Sequence, residues 1–368
     1  MASPSSRRSL CALIALAWFA CVPPTAGAQT QPPARPAGPT DPSEGGGNSS
    51  LPPLHIGAVT LATSWWLDAT RPGEAGPRAA ADRFRLQRAR VGAAGNLSGA
   101  IGWNLTGEFS GSPSLRNAFV VVRVADQLTV RVGQATPPTG LERGISPLTI
   151  ETIDRTRLTN RLTYALEPSI TAQNVRPYRR WVGYAVSLST GNGFNRWDNN
   201  GGKDVAARLR LTPPRAPGLL LNAYGARGAQ QDGTRDRYGL GVEYRRAPVH
   251  LAAEGLREVS DAAPARDGFW ALAGYQLKPA APRPYFQMLE LEARYMVFND
   301  PPSSRVVVVD ADAGPATGAL APPVARELVA GGSYYLTGNL RFTANVIVPF
   351  DTRPVSASTI RTRLQFVF

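Results

Sequence analysis

Leu289-Glu290-Leu291-Glu292-Ala293-Arg294-Tyr295-Met296-Val297 is the stretch that decides the fold class. Leu289, Leu291, Ala293, Tyr295 and Val297 fall on one side, and Glu290, Glu292 and Arg294 on the other. A period of two belongs to an extended strand with one apolar and one polar face, because successive Cβ atoms point to opposite sides. The pattern recurs in Asp204–Leu211. It recurs again where Leu340, Phe342, Ala344, Val346 and Val348 oppose Arg341, Thr343 and Asn345. In the last segment Ile360, Leu364, Phe366 and Phe368 oppose Arg361, Arg363 and Gln365.

Working outward, the alternation predicts sixteen strands, near 55–67, 82–95, 99–110, 115–124, 127–135, 169–176, 181–190, 203–212, 218–227, 236–246, 248–258, 268–278, 285–298, 327–337, 339–350 and 358–368. The register of the first, second and sixth is not fixed by the pattern. Tight breaks such as Thr337-Gly338-Asn339 and Arg246-Ala247-Pro248 alternate with longer polar stretches, among them 136–168, 191–202 and 299–326. Segments of about ten residues suit a tilted crossing of a bilayer, and short turns alternating with long loops suit an even-stranded transmembrane barrel. The expected fold is therefore an all-β, transmembrane antiparallel β-barrel of about 16 strands over residues 55–368. Trp65, Trp66, Phe109, Trp181, Tyr238, Tyr244, Tyr285, Phe298 and Phe350 lie near strand ends, as interfacial girdles would.

Ahead of the barrel, Arg7 and Arg8 precede the apolar run Leu10–Val22 and the small-residue site Ala26-Gly27-Ala28. This reads as a signal peptide over 1–28, too short to span a bilayer stably. The rival reading acylates Cys21, but Trp18-Phe19-Ala20 makes a poor lipobox. Residues 29–54, rich in Pro, Gly and Ser, read as a disordered linker. Both cysteines, Cys11 and Cys21, would leave with the signal, which excludes a disulfide scaffold and a Cys-held metal.

The 368 residues carry 40 Lys+Arg against 27 Asp+Glu, a formal charge of +13. Of the basic residues only Lys203 and Lys278 are lysine. Export makes nucleic acid a poor partner, and anionic solutes or an anionic lipid surface better ones. His55 and His250 are the only histidines and neither has a neighbouring serine, so a Ser-His-Asp site is not expected. Asp310-Ala311-Asp312 and Asp198-Asn199-Asn200-Gly201 read as turn residues rather than a calcium site. No catalytic residue, cofactor or metal is expected. The terminal alternation Leu364, Phe366, Phe368 is a candidate signal for the barrel-assembly machinery of the bacterial outer membrane, with its lipid and lipopolysaccharide as surroundings.

Several segments resemble the phosphate-selective porin O and P family. They are Leu86-Gln87-Arg88-Ala89-Arg90-Val91-Gly92, Leu115-Arg116-Asn117-Ala118-Phe119, Gly183-Tyr184-Ala185-Val186-Ser187-Leu188 with Gly191-Asn192-Gly193, and above all Arg131-Val132-Gly133-Gln134 with Pro137-Pro138 and Gly140-Leu141-Glu142. The resemblance implies a sixteen-stranded homotrimeric porin with a narrow, arginine-lined passage and a loop folded into the lumen. Where the family often has an aromatic and a Lys before the Pro-Pro pair, this chain has Ala135 and Thr136. That departure argues for anion preference without strong phosphate selectivity.

Strand parity turns Arg131, Arg123, Arg208, Arg210, Arg245, Arg294, Arg341, Arg361 and Arg363 inward, with about half expected to pair with inward Glu108, Glu243, Glu254, Glu290 or Glu292. The stretch 136–168 is too long for a turn, and 149–158 is expected to hold a short helix. Folded inward, it would bring Arg143, Arg155, Arg157 and Arg161 to the constriction and repel cations; the alternative is a solvated external loop. Two other functions compete with an anion-preferring porin for small anionic solutes. One is a sugar-type porin using inward Tyr335, Phe286 and Trp270, and the other a secreted β-rich polyanion-binding protein.

Overall fold

The computed structural model describes residues 59–72, 83–125, 127–174, 181–230, 233–281, 283–301, 324–350 and 358–367. The signal segment 1–28, the linker 29–54, the Asp310–Asp312 pair and Phe368 lie outside them. The strands are β1 Val59–Pro72, β2 Arg83–Asn96, β3 Ile101–Glu108, β4 Ser114–Ala125, β5 Leu128–Ala135, β6 Glu167–Gln173, β7 Val182–Ser189 and β8 Asp204–Leu211. They continue as β9 Leu219–Gln230, β10 Gly233–Arg246, β11 Val249–Ser260, β12 Arg266–Leu277, β13 Met288–Asn299, β14 Val324–Thr337, β15 Leu340–Pro349 and β16 Thr359–Val367. Each pairs antiparallel with the next, and β1 closes the ring on β16, Trp65 opposite Phe366 and Leu67 opposite Leu364. A closed barrel pairs every strand edge, which is what a lipid environment requires of a sheet.

The barrel is inside-out in polarity. Along β13, Glu290, Glu292, Arg294, Met296 and Phe298 are buried while Leu291, Ala293 and Tyr295 are exposed. On β10, Leu240 is 72% exposed beside buried Arg237. Apolar side chains face outward as a lipid-facing wall does, and charged ones face the lumen. Parity also corrects two girdle assignments. Trp65 faces out, so its neighbour Trp66 faces in and is buried. Phe298 shares the even, inward positions of β13 and is buried in the interior cluster. Leu364 and Phe366 sit on the outward parity of β16, opposite buried Arg363 and Gln365.

Among the strand limits that differ from the sequence reading, two have a plain structural reason. β1 runs on to Pro72 because β16 pairs with it from Ser64 to Pro72. β13 begins at Met288 because Tyr285 takes φ +59° and Arg283 bridges to Phe286, making a turn where a strand was expected. Within β5, Gly133 has φ +129°, and a Cβ there would lie 2.2 Å from the Ala118 carbonyl oxygen. Only glycine lets β4 and β5 approach so closely at that point.

The β5–β6 connection, residues 136–166, folds into the barrel. Its short helix α1, Arg157–Leu162, begins at Thr156, whose hydroxyl accepts from the Thr159 amide at 3.0 Å. Leu141, Leu158, Leu162 and Tyr164 pack on the inner wall against Tyr224, Leu256, Trp270, Met296 and Phe298. Each buried leucine contributes on the order of 2 kcal/mol. Leu240→Arg, a charge placed near the middle of the outer face, should cost about 2–4 kcal/mol of folding free energy in lipid vesicles, read by urea titration. A cost near zero would mean that this face does not meet hydrocarbon.

Candidate pore constriction

The inward loop is held by the wall through its backbone. Gln365 Nε2 donates to the Leu148 carbonyl at 3.0 Å, Arg341 Nη1 to Ile150 at 3.0 Å, and Ser333 Oγ to Glu151 at 3.3 Å. Asn345 Oδ1 accepts from the Ile153 amide at 2.8 Å, while Arg363 donates to the Ile153 carbonyl and Arg294 to that of Asp154, both at 2.6 Å. These donors and acceptors are successive inward positions of β13–β16. They engage the main chain of 148–154, which is why the helix expected at 149–158 appears instead at 157–162. A second anchor is Glu254 on β11, which accepts from the amides of Leu141 and Glu142. Glu142 in turn accepts from Thr156 Oγ1 at 2.7 Å and Arg294 Nη1 at 3.0 Å.

Arg363 and Arg361 serve the same anchoring. Arg363 grips Asp68 of β1 bidentately at 2.7 and 2.8 Å. Its side chain is 1% exposed, so it does not line an open path, contrary to the expectation from sequence. Arg361 pairs with Asp68 and with Asp154 of the loop. Burial works to raise the Asp154 carboxyl, but Arg361, Arg363 and Arg294 hold it below the ordinary carboxylate range. Of the other arginines expected inward, Arg245 pairs with Glu243 at 3.0 Å, and Arg90, which was not among them, pairs with Glu108 at 2.9 Å.

Two cavities remain beside the loop, one of them bordered by several of these anchors. A narrow cavity of about 70 Å³ is lined by Arg88, Arg116, Arg131, Arg143, Arg155 and Arg208, with no Asp or Glu lining it among the described residues. A wider one, about 210 Å³, is lined by Arg85, Arg88, Arg155, Arg157 and Arg361 together with Asp154 and Glu327. Arg88 and Arg155 line both, so they stand where the narrow cavity, hereafter the neck, adjoins the wider one. Arg88 lies over the Trp66 ring, its Cζ 3.4 Å from the centroid, and Arg363 contacts the same ring at 3.9 Å. Arg155 donates to the carbonyls of Glu142 and Ile145, and Arg131 to that of Thr136 at 2.7 Å. Arg143 donates to Thr163 Oγ1 at 2.9 Å and to Asn160 Oδ1 at 3.1 Å. The guanidinium positions are thus fixed by the protein, with charge directed to the cavities.

Of the arginines singled out by sequence, Arg131, Arg143, Arg155 and Arg208 meet at the narrow cavity, and Arg157 stands exposed at the wider one. Arg210 reaches toward Gly144 and Asn222, outside the lining of either cavity. Arg123 lies opposite inward Thr129 on β5, also outside that lining. Arg161 lies elsewhere, on a separate cavity with Arg235 and Arg266. Arg88 and Arg116 were missed as site residues. The alternation of Arg88 and Arg90 with Ala89 and Val91 carried the signal, but the unfixed register of the second strand hid its face.

The closed sixteen-stranded antiparallel barrel with an inward loop is a porin-type fold. Residues 64–232 match the model of the family described as phosphate-selective porin O and P, the family that the sequence motifs resemble. No curated protein matches the chain. Solved structures share the fold at low identity. The outer membrane channel DcaP of Acinetobacter baumannii has 13% identity and TM-score 0.59, covering 84% of this chain and 97% of that one. OmpF of Salmonella typhi, solved as a complex with daunomycin, has 12% identity and TM-score 0.57, covering 84% and 97%. An anion-selective porin from Comamonas acidovorans has 12% identity and TM-score 0.54, covering 84% and 99%.

Arg294→Met would leave Glu142 buried without its cation, a loss of about 3–5 kcal/mol for a broken buried pair. The loop should loosen, giving larger and noisier single-channel conductance while the barrel keeps its heat-modifiable migration on a gel. Conductance like the parent's would mean that the remaining anchors suffice.

Proposed function

We propose that the chain is a passive channel for small anionic solutes, with its selectivity set at the neck by Arg88, Arg131, Arg143, Arg155 and Arg208. The observation that carries this reading is a narrow cavity lined, among the described residues, by six arginines and no carboxylate. Fixed guanidinium charge in a confined passage raises local anion concentration and repels cations. Several moderate sites in succession allow conduction, whereas one deep site would trap the ion. Discrimination of phosphate from chloride is weak on this reading. Arg131, Arg143 and Arg155 already donate to loop acceptors, and the site holds no lysine.

Neither competing function draws the same support. Trp270 and Tyr335 are buried, donating to Glu254 and Glu290, and Phe286 stacks on Tyr334 at 5.3 Å. They offer no aromatic track along an open path. A secreted polyanion binder would not leave Leu61, Phe84 and Leu240 so exposed on one continuous outer wall.

We also propose a homotrimer. An apolar hollow of about 480 Å³ on the outer face of β1–β4, lined by Leu61, Val91, Leu105, Phe109 and Leu115, gives a second copy a surface to seat on. Insertion by the barrel-assembly machinery, read from Leu364, Phe366 and Phe368, belongs to the same proposal.

A unit charge about 8 Å away in water is worth roughly 0.5 kcal/mol, about twofold in local ion concentration, so removing three at the neck lowers anion preference by up to about tenfold. The triple variant Arg143→Ala, Arg155→Ala, Arg208→Ala should therefore shift the planar-bilayer reversal potential in a salt gradient toward cations. An unmoved potential would remove the neck as the filter. Cross-linking in mild detergent should give trimers, and monomers alone would withdraw that assembly.

A further inference from the structure

The cavity that takes up Arg161 lies outside the conduction neck. It measures about 330 Å³, against about 70 Å³ at the neck, and falls within the roughly 300–1,000 Å³ of small-molecule sites. Its walls come from the C-terminal turn of α1, the ends of β9 and β11, the starts of β10 and β12, and the β7–β8 and β11–β12 loops. It therefore stands at the barrel end that carries the long loops. None of its lining residues is shared with the neck cavity.

Its chemistry differs from the neck as well. Among the described residues, Arg161, Arg235 and Arg266 supply guanidinium, Glu258 a carboxylate, and Asn192, Asn199, Asn200, Gln230 and Ser260 neutral donors and acceptors. Glu258 is already engaged, accepting from Arg237 at 3.0 Å and from Arg266 at 2.8 Å. Arg266 also meets Asp300 at 2.6 Å. Arg235 is placed differently. It comes no nearer to Glu258 than 3.9 Å, and among the described residues its buried Nε has no hydrogen-bond partner. With a quarter of its side chain still exposed on the cavity wall, Arg235 has guanidinium left to offer an entering oxyanion, the stronger kind of hydrogen bond. Amides and a hydroxyl beside that cation suit a ligand that carries hydroxyl groups next to its carboxylate, rather than a bare halide.

We propose that this cavity is an external binding site for small hydroxylated organic anions such as sugar acids, with Arg235 and Arg161 holding the carboxylate and Gln230, Asn199 and Ser260 the hydroxyls. The proposal rests on the anion-channel reading and adds a solute class to it. The site captures the solute on the long-loop side and raises its concentration above the neck.

The test is single-channel recording with D-glucuronate added on the long-loop side, in chloride, with inorganic phosphate as comparison. Glucuronate should interrupt the current at concentrations where phosphate does not. Arg235→Gln should weaken that block roughly tenfold, the loss of one charge-assisted contact, without moving the chloride reversal potential. Gln230→Ala serves as a second variant whose neutral change spares the fold, and it should weaken the block less. Heat-modifiable migration reports that each barrel is folded. No block, or equal block in parent and Arg235→Gln, overturns the site. Equal block by phosphate overturns the hydroxylated class. A parent reversal potential on the cation side would sink the anion-channel reading itself, independently of the block.

Discussion

A polypeptide segment inside a barrel must find partners for its own peptide groups. Strands satisfy theirs across the sheet, but residues 148–154 cross the lumen with neither helix nor sheet to serve them. The wall supplies the missing bonds from side chains. Gln365, Arg363, Asn345, Arg341, Ser333 and Arg294 each reach a carbonyl or amide of the loop. An unmet buried peptide group costs about 1–3 kcal/mol, so six met ones hold this segment firmly. Arg155 and Arg157, which follow directly on this segment, take their place from it.

That requirement divides the interior in two. On β9–β16 the inward residues are mostly occupied with holding the loop, through polar bonds along β13–β16 and through apolar packing under α1. On β2, β4, β5 and β8 they are not, and there Arg88, Arg116, Arg131 and Arg208 face the loop's own Arg143 and Arg155 across the opening. The same residue type thus does two jobs. Arg341 and Arg363 are anchors with almost no exposure and line neither cavity, Arg294 both holds the loop and lines the wider cavity, and Arg88, though itself buried, lines both.

Much of this was legible in the sequence, because a strand's parity is a hard geometric rule. Sixteen strands and the inward faces of β5, β8 and β13–β16 follow from alternation. Trp66 and Phe298 were misread because position near a strand end was weighed without parity. Reading Trp65 as outward forces Trp66 inward, and Phe298 shares its side with Glu290 and Arg294. What alternation could not give is the division of labour among inward arginines. Whether Arg363 lines the pore or binds Asp68 depends on a β1–β16 pairing made across nearly the whole chain, and on the path of the loop. The helix boundary failed for a related reason. Local propensity competes with wall side chains that lie far away in sequence, as Ile153 and Asn345 do.

Gly144 shows how narrowly the aperture is drawn. The guanidinium groups of Arg210 and Arg208 lie against its bare α-carbon, where a Cβ would come within 2.4 Å of Arg210 Nη2 and 3.3 Å of Arg208 Nη1. A single hydrogen atom in place of a methyl group is therefore the clearance between loop and wall at this point. Bore and charge are coupled there, since any side chain at 144 has to displace the cations to make room for itself. The channel cannot be narrowed at that residue without also redrawing its electric field.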